Sequence, residues 1–409
     1  MRPGRSDGDR KPRLLILNQY YWPGFEATAN LLHDLASDLA EDFEVTVLTG
    51  MLQIEGVRTG RSVVDGVTVV RVRSASYDRR LLLQRGINYL TYLFHALRVG
   101  WRLPRPDLIF CMTDPPMAAD VGLILARRFR VPLVVTSQDV FPEVAVELGR
   151  LDSPVLIGVL RKLVEFYLAR ADRVVAIGET MKERLAEKGA PPERIRVIAN
   201  WVETSVLVPQ PRDNDWARKH GLADRFVVMH SGNVGHAQNL DAVVRAGSFM
   251  RDLDDLVIAI IGTGARHAEL VALAERLSVD ALRFLPYQDR WLLPMSLSAA
   301  DLHVVGLARG LSGYVVPSRL YGIMSVARPV LVAAEQSSET AQLVEQIGCG
   351  IVVEPGRPEL LAEQIRRAHA GELDLEEMGR RAREYVVAEA DRRIAVDRYR
   401  KVFEEVLSA

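Results

Sequence analysis

This sequence has little of what marks several common protein classes. It holds two cysteines, Cys111 and Cys349, in 409 residues. They lie far apart inside apolar runs, which argues against a disulfide framework or a cysteine metal cluster and suits a reduced compartment with two buried thiols. No run approaches the ~18 apolar residues that cross a bilayer. The opening MRPGRSDGDRKPR passes straight into a strand-like run, without the apolar core and cleavage site of a secretory signal. A formal net charge of -1 removes any global electrostatic case for nucleic acid as a partner. The eight histidines show neither HxxxH spacing nor a nearby cysteine pair, so no metal site is expected. Solenoid-period repeats and low-complexity tracts are missing too. What is there is a 48% hydrophobic, 26% charged composition, ordinary for a soluble globular protein, in a chain long enough for about two domains.

Organisation follows from the apolar runs. Residues 13–18 (RLLILN) read as a parallel strand buried on both faces, followed by a loop over 19–28, a helical pattern to about residue 40 and a strand at 44–49 (EVTVLT). Further strands are expected at 67–72, 107–111, 133–136 and 173–177, with helical segments between them. Near residue 200 the pattern breaks into Asn200-Trp201-Val202-Glu203 and a proline-bearing polar stretch to Asp215, read as an interdomain linker. A second series then supplies strands at 226–230, 256–262, 282–285, 302–305, 330–333 and 350–353, and a helical tail from 375 to 409. Strands alternating with helices define an α/β protein with two doubly wound parallel sheets, which take ligands at the carboxyl ends of their strands. Asp252-Leu253-Asp254-Asp255 precedes a strand, at the end opposite that ligand face, and is read as a solvated turn.

Three loops in the second half sit at strand ends. Residues 306–339 run from a Gly- and Ser-rich loop (Gly310, Ser312, Gly313) through Pro317-Ser318 into a helix opening on Arg319-Leu320-Tyr321. A helix start with its free N–H groups and a cation is suited to an anion, above all a phosphate. Residues 229–240 (MHSGNVGHAQNL) place Gly232, Asn233 and Gly235 where a backbone cradle for a pyrophosphate would form. Residues 261–266 (IGTGAR) offer Gly262, Gly264 and Arg266, without the third glycine of the dinucleotide fingerprint. In the first half, Trp22-Pro23-Gly24-Phe25-Glu26, Thr113-Asp114-Pro115-Pro116 and the acids Asp139 and Glu143 follow strands. Such residues also serve turns and helix caps.

Pro317-Ser318-Arg319-Leu320-Tyr321 followed by Arg328-Pro329-Val330, together with Ser231-Gly232-Asn233-Val234-Gly235, resembles the retaining GT-B glycosyltransferases of family 4, especially bacterial exopolysaccharide and O-antigen enzymes. The resemblance implies two Rossmann-like domains facing across a cleft: an acceptor domain over 1–204, a nucleotide-sugar domain over 205–374, and helices over 375–409 returning to the first domain. It implies a metal-independent transfer, without a cofactor, from a nucleoside diphosphate sugar, a UDP-sugar foremost, to a glycan or polyprenyl-diphosphate-sugar acceptor. Arg266, Arg319 and Asp139 are then the expected catalytic residues. Gly24, Gly232, Asn233, Gly235, Gly262, Gly264, Gly313, Pro317, Ser318, Leu320 and Glu339 are the expected donor-binding residues.

Two departures stand against that pattern. The glutamate pair spaced by seven residues in the wider family falls on Tyr314 and Gly322, leaving Glu339 as the nearest substitute, and the basic residue often found after the Ser-Gly-Asn-x-Gly segment is replaced by His236, Ala237, Gln238 and Asn239. A GT-B-fold sugar-nucleotide epimerase and a catalytically silent scaffold in a polysaccharide assembly complex are the competing readings. Residues 81–102, apolar and aromatic between Arg79, Arg80 and Arg102, are read either as a helix buried on the first sheet or as a contact with the inner membrane surface. The expected location is cytoplasmic, with that contact making it peripheral.

Overall fold

The computed structural model describes residues 10–24, 27–51, 57–75 and 82–409. The chain forms two compact units, one of residues 1–199 with 395–409 and one of residues 200–394.

The first unit carries strands β1 (Arg13–Leu17), β2 (Glu44–Thr49), β3 (Gly60–Val64), β4 (Val67–Arg71), β5 (Leu108–Met112), β6 (Leu133–Ser137), β7 (Arg173–Ala176) and β8 (Ile195–Val197). Their order is β3-β4-β2-β1-β5-β6-β7-β8, parallel apart from the β3–β4 hairpin. The helices are α1 (Ala27–Leu39), α2 (Leu82–Gly100), α3 (Ala118–Phe129), α4 (Glu143–Glu147), α5 (Pro154–Leu168) and α6 (Glu179–Glu187). The chain leaves β1 toward β2 through α1, and crosses the other way from β4 to β5 to β6 to β7 through α2, α3 and α5. Right-handed crossovers therefore put α1 on one face and α2, α3 and α5 together on the other. β5 and β6 are buried along their whole length, as strands covered on both faces must be.

The second unit carries β9 (Phe226–Ser231), β10 (Leu256–Ile261), β11 (Leu282–Leu285), β12 (Leu302–Gly306), β13 (Val330–Ala333) and β14 (Gly350–Val353), all parallel, in the order β11-β10-β9-β12-β13-β14. Its helices are α7 (Asp215–Lys219), α8 (Asp241–Ser248), α9 (His267–Leu277), α10 (Leu293–Ser298), α11 (Arg319–Ser325), α12 (Glu339–Ile347), α13 (Pro358–His369) and α14 (Leu375–Glu389). The winding direction reverses between β9 and β12, which makes the carboxyl ends of those two strands the crevice of this sheet. The Asp252–Asp255 turn sits before β10 and is spent on side-chain contacts, Asp252 in an ion pair with Arg366 and Asp255 2.8 Å from His369 Nε2.

The units divide the chain differently from the expected 1–204, 205–374 and 375–409. Residues 200–215 are not a free linker: Ser325 Oγ donates to the Leu207 carbonyl at 2.5 Å, and Arg212 pairs with Asp301 at 2.6 Å. Nor does α14 join the first unit. It packs on α11, where Arg383 donates to the carbonyls of Thr204, Leu207 and Ser325. Gly379 makes that approach possible, since a Cβ there would stand 2.2 Å from the Ala327 carbonyl oxygen. Only the final helix α15 (Arg392–Leu407), from Ala395 onward, belongs to the first unit. It seats Phe403 against Phe110 with ring centroids 5.4 Å apart, and its Tyr399 hydroxyl lies 3.1 Å from Thr136 Oγ1.

Candidate active site

The loops after β9, β10 and β12 interlock by backbone contact. Gly232 N–H donates to the Ile261 carbonyl at 2.9 Å, Val234 N–H to Thr263 at 2.9 Å, and Arg266 N–H returns to Val234 at 3.0 Å. Three glycines permit this. A Cβ on Gly262 would stand 2.0 Å from the Gly232 oxygen, one on Gly264 2.3 Å from the Val234 oxygen, and one on Gly306 2.0 Å from the Gln238 oxygen. Gly232 and Gly262 also hold φ of 137° and 128°, a region side-chain-bearing residues avoid. The Asn233 side chain fills the space beside Gly235 and Gly264. The sequence-predicted cradle residues Gly232, Asn233, Gly235, Gly262 and Gly264 are thus brought into one wall.

Arg319 opens α11 and lays its guanidinium over Gly232, 3.7 Å from where a Cβ would be. Its Nη1 lies 2.9 and 3.1 Å from the two ring nitrogens of His230, whose Nε2 is 3.3 Å from the Asn233 carbonyl. An arginine N–H donates, so a ring nitrogen must accept; Nε2–H serving Asn233 and Nδ1 accepting from Arg319 fits the neutral imidazole. Burial, then the Arg319 charge, holds His230 well below the usual histidine range. Burial brings Arg319 down to about 10, still a cation at neutral pH. No carboxylate among the described residues pairs with it. A desolvated cation without an anion is costly, so this guanidinium is where an anionic ligand would gain most.

Arg266 stands in a different setting. Its side chain holds Asp241 at 3.0 Å and Glu269 at 2.8 Å, so its charge is already met. Gly310 and Gly313 take φ of 78° each in the loop before α11, and Glu335 ties that loop by accepting from Gly310 N–H and Ser312 Oγ, each at 3.0 Å. Pro317 is buried, Ser318 half-buried, and Leu320 is wholly inside the core, so Leu320 offers a ligand nothing but backbone. The expected helix-start site is modest: α11 is seven residues long and Ser318 makes no side-chain cap. The anion case rests on Arg319 instead. Glu339 begins α12 one residue after the cap Ser338, whose Oγ accepts from Ala341 N–H. Burial first, then the charges of Tyr385 and Glu339, raises the Tyr321 phenol.

In the first unit, Gly24 closes a turn by donating to the Tyr21 carbonyl at 3.0 Å. Phe25 and Glu26 lie outside the described residues. Asp139 follows β6, and its loop is laced to those after β5 and β1: Gln138 N–H donates to Thr113 Oγ1 at 3.1 Å and Gln19 N–H to the Asp114 carbonyl at 2.7 Å. Glu143 is engaged structurally by Lys188 at 2.6 Å and Arg161 at 3.0 Å. Along this rim Asn18 Oδ1, Gln19 Oε1 and Ser137 Oγ are buried with no hydrogen-bond partner, as polar atoms reserved for a ligand or water would be. Sequence reasoning passed over His230, Glu335 and these three groups. His230 had a visible signal, a polar ring directly after the apolar run Phe226–Met229 of the same strand.

Two Rossmann-like sheets, one ending in a glycine-built wall under an arginine that no described carboxylate pairs with, have the architecture of the GT-B class of sugar transferases. Residues 27–201 match the family model described as a glycosyl transferase 4-like domain, and residues 212–385 match that described as glycosyl transferases group 1. The chain belongs to the GT-B glycosyltransferases of family 4, enzymes that act on a sugar donor. It is 28% identical over 314 residues to the probable glycosyltransferase WbjE of Pseudomonas aeruginosa, covering 74% of this chain and 76% of that one. It is 33% identical over 205 residues to the putative colanic acid biosynthesis glycosyl transferase WcaI of Escherichia coli K12, covering 49% and 50% respectively. The crystal structure of Anabaena HepE with UDP-glucose has the same fold, with a TM-score of 0.74 and 18% identity over 97% of this chain and 100% of that chain.

Proposed function

We propose that this protein moves a sugar from a nucleoside diphosphate sugar, a UDP-sugar foremost, to a glycan or polyprenyl-diphosphate-linked sugar in cell-surface polysaccharide synthesis, with retention at the anomeric carbon. The observation that carries the reading is Arg319, a partly desolvated cation beside the backbone of Gly232 with no acid among the described residues to neutralise it. A diphosphate seated there would have its departing charge met by a fixed guanidinium and by loop N–H groups, the electrostatic task that dominates such reactions. The similarity to the putative colanic acid biosynthesis transferase WcaI and the fold shared with HepE, which binds UDP-glucose, support the polysaccharide setting and the donor class.

The step balances without a protein nucleophile. The acceptor oxygen bonds to the anomeric carbon on the face from which the phosphate leaves, the carbon–oxygen bond to the β-phosphate breaks, and the acceptor proton passes to that phosphate oxygen. Arg319 supplies positive charge at the leaving group, the part a divalent ion plays in metal-dependent transferases. The first unit would take the acceptor along the rim after β6 that carries Asp139, where the unpartnered atoms Asn18 Oδ1, Gln19 Oε1 and Ser137 Oγ await hydroxyls. Purified protein incubated in EDTA with UDP-, GDP- and dTDP-sugars tests this. Diphosphate release from one donor that requires a polyprenyl-diphosphate-sugar acceptor supports it. Conversion of the donor without acceptor favours an epimerase, and failure to bind any nucleotide leaves a silent scaffold.

A further inference from the structure

The loop after β1 is tied down along its length. The Gln19 carbonyl accepts from Thr49 Oγ1 at 2.9 Å and from Gly50 N–H at 3.0 Å, and Asn18 Nδ2 donates to the Tyr20 carbonyl at 2.7 Å. Arg71, buried at the end of β4, donates to the Trp22 carbonyl. Tyr20 and Tyr21 enter the core from this loop, yet Trp22 turns outward and keeps 39% of its surface open. Among the described residues of the loops after β1, β2, β4, β5, β6 and β7, it is the one large apolar side chain left exposed.

That indole is nevertheless held in place. It stacks on the His33 ring of α1, with centroids 5.3 Å apart and planes 23° from parallel. His33 is itself locked, since Nδ1 lies 3.2 Å from the Tyr21 hydroxyl and Nε2 lies 3.2 Å from Asp65 Oδ2. A carboxylate only accepts, so Nε2 carries the hydrogen, and Nδ1 of the neutral ring accepts from the phenol. An exposed aromatic ring that is rigidly backed loses little freedom when a flat partner settles on it. Earlier in the same loop, the Asn18 amide has committed its nitrogen to Tyr20, which leaves Oδ1 buried and unpartnered, as Gln19 Oε1 is too. Such oxygens can only accept.

We propose that Trp22 is the platform on which a pyranose ring of the acceptor stacks, with hydroxyls of that ring turned toward Asn18 Oδ1 and Gln19 Oε1. A pyranose presents C–H groups on one face, which suit the negative face of the indole, and O–H donors around its edge, which suit amide oxygens that lack one. An isoprenoid chain would cover the indole but bring those oxygens no donor, and a phosphate would set acceptors against acceptors. The Gln19 N–H bond to the Asp114 carbonyl holds the platform beside the loops after β5 and β6. The inference rests on the reading of the first unit as the acceptor side and deepens it, because the unit then selects its acceptor by a sugar ring.

Intrinsic fluorescence of the full chain and of Trp22→Phe, titrated with the methyl glycosides of glucose, galactose, mannose and N-acetylglucosamine and with farnesyl diphosphate, tests it. A saturable change with at least one glycoside is expected in the wild type and should be missing from Trp22→Phe, which locates the sugar at that indole. In turnover on polyprenyl-diphosphate-linked sugars, Trp22→Ala should raise the acceptor KM about tenfold with a smaller change in kcat, and Trp22→Phe should recover most of the loss. No glycoside response in the wild type, a response to farnesyl diphosphate in place of any glycoside, or an unchanged acceptor KM in Trp22→Ala overturns the proposal. So does a loss in Trp22→Ala that falls equally on UDP affinity and melting temperature, which would make Trp22 a packing residue. A glycoside response without turnover on any donor would sink the proposed reaction and leave the sugar platform standing.

Discussion

Two arginines follow the two strands that flank β9 in the second sheet, and the sequence presents them as equals. Arg266 ends a glycine-bearing loop after β10, and Arg319 ends another after β12. The structure separates them. Arg266 is held by Asp241 and Glu269, while Arg319 is sunk against Gly232 with only the neutral ring of His230 for company. A paired, partly solvated cation is screened and adds little to a ligand. A half-buried one without a described anion is primed to bind one, and the backing imidazole fixes its position without cancelling its charge.

The largest effect should come from breaking Arg319. Arg319→Ala is expected to lower turnover by about 10²–10³-fold, the range seen when one donor at a developing oxyanion is removed. Thermal stability should hold or rise slightly, because a partly desolvated charge without a described counter-ion is gone. Steady-state kinetics beside a melting curve check this; unchanged turnover would remove Arg319 from the diphosphate role.

Acid sharpens the role of the neutral histidines. His230 and His303 are both depressed by burial, His303 to about 4. Each binds its proton in the unfolded chain first, so stability is full above the unfolded value of about 6.5 and falls as pH drops below it. For His303 the loss should reach about 3 kcal/mol by the time its folded value is passed. Urea unfolding at a series of pH values measures this, and His303→Asn should flatten the slope between those limits.

Gly264→Ala strikes the wall behind Arg319. Its Cβ would stand 2.3 Å from the Val234 oxygen and 2.7 Å from Asn233 Oδ1, so the two loops must part. Destabilisation of more than about 1 kcal/mol is expected, with nucleotide binding lost further, read by titrating UDP against a melting curve. A variant that binds UDP as wild type does would show the wall to be mere packing.

The smallest effect should be Arg266→Ala. A turnover loss within about tenfold is expected, with a stability change of about 1 kcal/mol or less from its half-solvated pairs. A loss equal to that of Arg319→Ala would erase the contrast and show that Asp241 and Glu269 release Arg266 when a donor binds.

Much of the architecture was legible. All twelve strands expected from apolar runs are present to within a residue or so at each end, because buried parallel strands leave an unbroken apolar signature. Two strands were missed for physical reasons. β3 is an exposed edge strand without alternation, although Asp65-Gly66, with φ of 46° and 79°, is a hairpin signal that stood in plain view. β8 has three residues, too few to show a period. The stretch 200–215 read as a linker because proline and polar residues dominate it, yet backbone carbonyls such as that of Leu207 are what Ser325 and Arg383 bind. In the site, the glycines were readable as glycines, while their partners were not.

For α2, an apolar helix packed on a sheet and one with a second exposed stripe look alike in sequence, so the reading of 81–102 stayed open. Residues 76–81 lie outside the described residues. The outward stripe, Ile87, Leu90 and Phe94, became visible only once burial was assigned. No described helix is long and apolar enough to cross a membrane.

The sequence alone determined the alternation of strand and helix, the two doubly wound sheets, the glycines at strand ends and the family. Those are local or periodic properties, written in neighbouring residues. Tertiary structure decided which of two similar arginines is left without an acid, which loops meet through glycines far apart in the chain, and which apolar helix keeps a bare side. Each of these depends on what stands opposite in space, and burial turns an ordinary side chain into an unpaired charge or an uncovered surface only when that neighbour is known.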